Sequence, residues 1–130
     1  MNLSSIIPKP AWDLMSKSMD RQARAEELRR SSGNIRDITR LTGLAFNFAQ
    51  QAAALVTRET GEMAFSTVHH HAAYMAFKVH RYEEAFTYAQ GVLAGNPPSL
   101  IRTEVLDILG KQEMAAVVAA HSRQIAQIAG

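Results

Sequence analysis

Between Ile35 and Val56 the residues Ile35, Ile38, Leu41, Leu44, Ala45, Phe48, Ala52, Leu55 and Val56 recur every three or four positions. A strand exposes its two faces alternately, whereas this spacing gathers the apolar residues on one side of an α-helix. So continuous a stripe has to be buried, and the rest of the chain must supply the surfaces that bury it. Asn34 suits the N-cap of this helix, and Asp37 puts a negative charge into its first turn, where the helix dipole favours one. The expected helix covers residues 35–60, and Gly61 is expected as the left-handed residue that ends it. Gly43 lies inside it and costs about 1 kcal/mol relative to alanine.

The remaining punctuation is also helical, and no segment shows the period of a strand. Pro8 and Pro10 predict an extended lead-in over residues 1–11. A polar helix then runs from Trp12 to about Arg30, with Trp12, Met15, Met19 and Ala23 on one side, and "SSGN" (Ser31–Asn34) interrupts it. Further helices are expected from Met63 to Val79, from Tyr82 to Ala94 before "GNPP", over "SLIRTEVLDILG" (Ser99–Gly110), and from Gln112 to Ala129. The last carries Met114, Val117, Val118, His121, Ile125 and Ile128 in a stripe. The expectation is therefore an all-α fold of about six helices, either an antiparallel bundle or a short right-handed helical stack. With 130 residues, it forms one domain: the lead-in, a polar basic helix over 12–33 placed to act as an association arm, and a core over 34–130.

Composition narrows the function. There is no cysteine, which removes disulfides and thiolate metal sites. The apolar runs Ala52–Val56 and Met114–Ala120 are far shorter than the roughly 20 residues of a membrane-spanning helix. The N-terminus lacks the charged start and apolar core of a secretory signal, so the expected location is the cytoplasm. Charge is uneven: residues 1–40 hold eight Lys/Arg against five Asp/Glu, net +3, and the other ninety hold six against seven, net −1. The excess lies along Arg21, Arg24, Arg29, Arg30, Arg36 and Arg40. Such a stripe can meet nucleic acid, but Asp20, Glu26, Glu27 and Asp37 interrupt it and no aromatic residue interleaves for base stacking. A solvated helix face is the favoured reading, with a nucleic-acid-associated or regulatory protein as the alternative.

The stretch from Glu62 to Leu100 carries three consecutive histidines, His69–His71. Adjacent residues on a helix point about 100° apart, so the three cannot close on one ion. No carboxylate stands in a HExxH-like pattern beside them. No metal or other cofactor is expected, and the bland role of helix packing and solvent contact is favoured. His121, inside an apolar stripe, is expected to be buried and hydrogen-bonded. Ser66 and Ser122 have no nucleophile elbow around them, the glycines stand singly, and Glu26–Glu27 and Glu83–Glu84 lie on polar faces. An enzyme is not expected.

Ala72, Ala73 and Ala76 on one helix and Ala85, Ala89 and Val92 on the next offer small surfaces for close antiparallel packing across a turn at His80–Tyr82. This hairpin resembles one tetratricopeptide repeat, without a gap from His69 to Pro97. Ala73 stands at the family's small position, "RYEEA" (Arg81–Ala85) resembles its turn into the second helix, and Pro97 its closing proline. The following "SLIRTEVLDIL" resembles its capping helix. The chain departs from the pattern at His69, Ala72, Ala76 and His80, where that family has an aromatic, leucine, tyrosine and glycine. The resemblance implies that the first helix lines a concave groove for a protein or peptide partner, at His70, Tyr74, Phe77 and Lys78. The competing expectation is that this face packs on the 35–60 helix. In that case Trp12, Met15 and Met19 become the apolar contacts; a homo-oligomer is expected with either face.

Overall fold

The computed structural model describes residues 3–129, with side chains described through residue 123. Six α-helices follow one another: α1 (Lys9–Arg30), α2 (Ile35–Ala54), α3 (Glu62–Lys78), α4 (Tyr82–Leu93), α5 (Ser99–Leu109) and α6 (Ala115–Ala129). Short 3₁₀ turns stand at Leu3–Ser5, Arg58–Thr60 and Gln112–Met114, and there is no strand among the described residues. The expected all-α bundle of about six helices is what the chain forms. No helix among the described residues is long and apolar enough to cross a membrane.

Helix ends explain much of the layout. The Asn34 side chain accepts a hydrogen bond from the Arg36 N–H at 2.7 Å, which is the expected N-cap of α2. Both hairpin turns close in the same way. After α1, Ser32 takes a φ of 58°, while the N–H groups of Gly33 and Ser32 donate to the carbonyls of Leu28 and Arg29. After α3, His80 takes a φ of 66°, while Arg81 and His80 donate to Ala76 and Phe77. This paired bonding is the Schellman arrangement, here with serine and histidine where glycine is the usual residue.

The structure corrects several boundaries. The lead-in is not extended through residue 11: a 3₁₀ turn and then α1 from Lys9 replace it, and Ile7 is buried. Proline is tolerated in a first helical turn, so Pro10 does not delay α1. The helix expected over 35–60 stops at Ala54, because the N–H groups of Leu55 and Val56 turn back onto Ala52 and Ala53. Thr57 and Thr60 then cap the following 3₁₀ turn reciprocally. Gly61 consequently does not end α2; it closes the 3₁₀ turn and is at the same time the N-cap of α3, with φ 132° and ψ 145°. That conformation is open to glycine and strained for other residues. The last helix begins at Ala115, behind a 3₁₀ turn that buries Met114. Ile125 and Ile128 lie outside the described side chains.

The stripe on α2 also shifts. Ile38, Leu41, Ala45, Ala52 and Val56 are buried as expected, joined by Thr42, Phe46, Ala49 and Ala53, whereas Ile35 is 75% exposed and Leu55 half exposed. One side of α2 faces α1 and another faces α3. On α1 the buried line is Ala11, Met15, Ser18 and Ala25, too small and polar to show as a hydrophobic pattern. The expected association arm therefore lies along α2, and Met15, 3% exposed, belongs to the core, with Trp12 and Met19 partly buried against it. Alanines dominate that core: Ala45, Ala49, Ala52, Ala53, Ala64, Ala72, Ala76 and Ala85 form one cluster with Phe46, Phe65, Val68, Met75 and Phe86. A second cluster joins Ala73 of α3 and Ala89 and Val92 of α4 to Val105 and Ile108 of α5.

Candidate functional site

The three consecutive histidines enter three different environments, as their angular spacing requires. His69 donates from Nε2 to the Val56 carbonyl at 2.8 Å and stacks on Phe65 at 4.0 Å, tying α3 to the end of α2. Burial lowers its pKa, against the opposing pull of the Val56 and Ala53 carbonyls. His71 faces α1. The Ser18 hydroxyl, fully buried, donates to the Ala45 carbonyl at 2.6 Å, so its oxygen accepts from His71 Nε2–H at 2.7 Å. One chain of two hydrogen bonds thus links α3, α1 and α2. Burial, with a smaller contribution from His70, holds the His71 pKa down at about 4.

His70 faces α5. Its Nε2 stands 3.1 Å from the Glu104 carboxylate; burial lowers its pKa, and Glu104 opposes the shift. His70 and His71 together with Tyr74 form one wall of a cavity of about 520 Å³, and Thr103, Glu104 and Asp107 of α5 form the other. On each helix the wall residues fall on a single side: 70, 71 and 74 on α3, and 103, 104 and 107 on α5. Thr67, one turn before His71, carries a buried hydroxyl with no hydrogen-bond partner among the described residues.

Only half of the expected binding face lies here. His70 and Tyr74 line the cleft, whereas Phe77 packs partly buried against both core clusters, with its ring 5.8 Å from that of Tyr82. Lys78 stands 3.8 Å from Glu26 of α1 and borders a separate groove beside Val79 and His80. The His70–Tyr74 side of α3 adjoins α5 across this cleft, and Tyr74 also packs, partly buried, against both core clusters. Thr103, Glu104 and Asp107 escape a reading that looks for apolar stripes, since they are the polar side of a short helix. Their recurrence with Leu100 at i, i+3, i+4 and i+7 was the available signal.

The arginines are dispersed, and half of the six are paired with acids. Arg21 and Arg24 stand 2.7 and 3.7 Å from Asp20, and Arg29 pairs with Glu26. Arg24 and Arg40 border a shallow cavity that Glu27 also lines, and Arg36 and Arg30 are exposed. His121 is hydrogen-bonded, as expected, but half-buried: it reaches Glu83 at 3.0 Å and stacks on Phe86 at 4.1 Å. Among the described residues no three His, Asp or Glu side chains come close enough to hold a metal ion.

Compared with protein-family models, with curated proteins and with solved structures, the chain matches none. The tetratricopeptide resemblance accordingly rests on the residues of the hairpin alone.

Proposed function

We propose that this chain is a non-enzymatic protein-interaction module of tetratricopeptide-like type, acting in the cytoplasm, and that a segment of a partner protein occupies the α3–α5 cleft. The observation that carries the reading is the cleft itself: His70 and Tyr74, expected to face a partner, line a cavity of about 520 Å³, within the 300–1,000 Å³ range of ligand pockets. Two successive hairpins, α1–α2 and α3–α4, with α5 packed against both helices of the second, support the repeat-like part of the proposal. Nucleic acid is left out of it, because Arg21, Arg24 and Arg29 stand in ion pairs with Asp20 and Glu26 and no aromatic residue interleaves among the arginines for base stacking.

The test is selection of a random dodecapeptide display library on the wild type and on Tyr74→Ala. The wild type should enrich a common motif that the variant, still helical by circular dichroism, binds at least tenfold more weakly. No enrichment, or enrichment indifferent to Tyr74, removes the reading. Self-association belongs to the same proposal, and size-exclusion chromatography with light scattering reads it. A monomer at every concentration removes that part.

A further inference from the structure

Building on that reading, we propose that the cleft selects a partner segment carrying an arginine or lysine, with the cation seated among Glu104, Asp107 and Tyr74 and an apolar neighbour resting on Leu100. The first argument is sign. Glu104 and Asp107 line the cavity and no lysine or arginine does. The contact between His70 and Glu104 does not cancel the carboxylate charge, since burial keeps both His70 and His71 in the neutral form at pH 7. A neutral imidazole carries no charge of its own and leaves the negative charge of Glu104 in place. Asp107 meets Lys111 at 3.4 Å, an exposed pair within one helix that a better-placed cation displaces.

The second argument is the chemistry of the opposite wall. Tyr74 is half-buried, and its ring already takes one cation, with Lys78 Nζ 5.9 Å from the centroid. A ring face beside two carboxylates favours a guanidinium or an ammonium with an apolar stem. A bare metal ion is the wrong occupant. The cavity is far larger than one ion needs, and no three ligating side chains among the described residues converge on a point.

The third argument distinguishes a peptide from a free amine. Leu100 shares the i, i+3, i+4, i+7 side of α5 with Thr103, Glu104 and Asp107, and it is 69% exposed. From Leu100 to Asp107 this face runs roughly 10 Å, the length of about three extended residues. A segment with an apolar residue two or three positions from its basic residue therefore reaches both ends of the face. A small amine reaches only one.

The experiment uses random dodecapeptide libraries in which one central residue is fixed as arginine, lysine, citrulline, glutamate or leucine, captured on the full chain. The arginine and lysine sets should be retained at least tenfold above the citrulline and glutamate sets. Glu104→Gln combined with Asp107→Asn should erase that preference, whereas Glu59→Gln, a carboxylate removed elsewhere, should leave it intact. Both cleft carboxylates are solvent-accessible, so the double variant should keep its helicity by circular dichroism. Equal retention of the citrulline, leucine or glutamate sets overturns the charge inference while peptide binding itself survives. Retention of no set overturns both. A preference that persists in the double variant overturns the placement of the cation.

Discussion

The two sides of α3 are built on opposite plans. Toward α2 and α4 the helix presents Ala72, Ala73 and Ala76, all fully buried, and the facing helices answer with Ala49, Ala53, Ala85 and Ala89. Toward the polar side of α5, beside the packed contact of Ala73 with Val105 and Ile108, it presents His70 and Tyr74 across an open cavity. The first side fills space and leaves nothing for a ligand; the second leaves space and lines it with charge. His71 sits between them, lining the cavity while its Nε2 is committed to Ser18. A rigid seam behind an unfilled cleft is what preorganised binding requires, because the wall does not have to be ordered when the ligand arrives.

The largest effect expected from this contrast is a pH dependence located at the boundary between the two sides. The His71 pKa is held at about 4 in the folded chain against an ordinary value of 6.5. The unfolded chain therefore binds the extra proton first. The contribution is fully present above pH 6.5 and is lost progressively as pH falls toward 4, by about 3 kcal/mol in total. His69 and His70 shift in the same direction, while Glu26, whose pKa is lowered chiefly by its hydrogen bond from Arg29, loses its contribution only below its ordinary 4.5. Urea unfolding of the wild type and of His71→Gln, measured between pH 7 and 4, isolates the effect. The variant should lose most of the slope across that window. Parallel curves would mean that His71 titrates normally and that the seam does not extend to it.

Next in size is a direct test of closed against open. Ala72→Leu adds a branched side chain where the chain leaves no accessible surface, and overpacking of this kind costs about 1–3 kcal/mol. Thr103→Leu places the same side chain on the α5 wall of the cavity, where an exposed substitution should move stability by about 0.5 kcal/mol or less. Equal losses in urea unfolding would show that the cleft is as tightly filled as the seam.

The sequence disclosed the seam better than the cleft, and the reason is physical. Alanines at i and i+4 imply close helix packing whatever the partner helix, so Ala73, Ala85 and Ala89 are legible one helix at a time. The α2 stripe located its helix but overstated it. Ile35 and Leu55 sit at its ends, where a periodic pattern continues after neighbouring helices have stopped covering it. On α1 the buried line passes through Ser18, whose hydroxyl is satisfied by Ala45 and His71, and no hydrophobic pattern can show a polar residue buried by its partners. The cleft is harder still. His70 and Tyr74 were readable as a face, but Thr103, Glu104 and Asp107 become its opposite wall only when the α4–α5 connection swings α5 back against α3.

The smallest effect concerns the turn at which both sides of α3 end. His80 holds a φ of 66° at the position where the Schellman arrangement favours glycine, and its Nδ1 lies 2.7 Å from the Tyr82 hydroxyl. The left-handed backbone costs a non-glycine residue roughly 1–2 kcal/mol. An exposed hydrogen bond returns about 0.5 kcal/mol, and the greater backbone freedom of glycine in the unfolded chain offsets part of the gain. His80→Gly should therefore stabilise the chain slightly, by about 0.5 kcal/mol in urea unfolding. Peptide retention in the cleft should stay unchanged, because His80 lines the groove beside Lys78 and not the α3–α5 cavity. A loss of stability would mean that the contact with Tyr82 outweighs the backbone strain at this turn. A change in retention would show that the geometry of the hairpin turn is transmitted along α3 to His70 and Tyr74, and that its two sides are not independent.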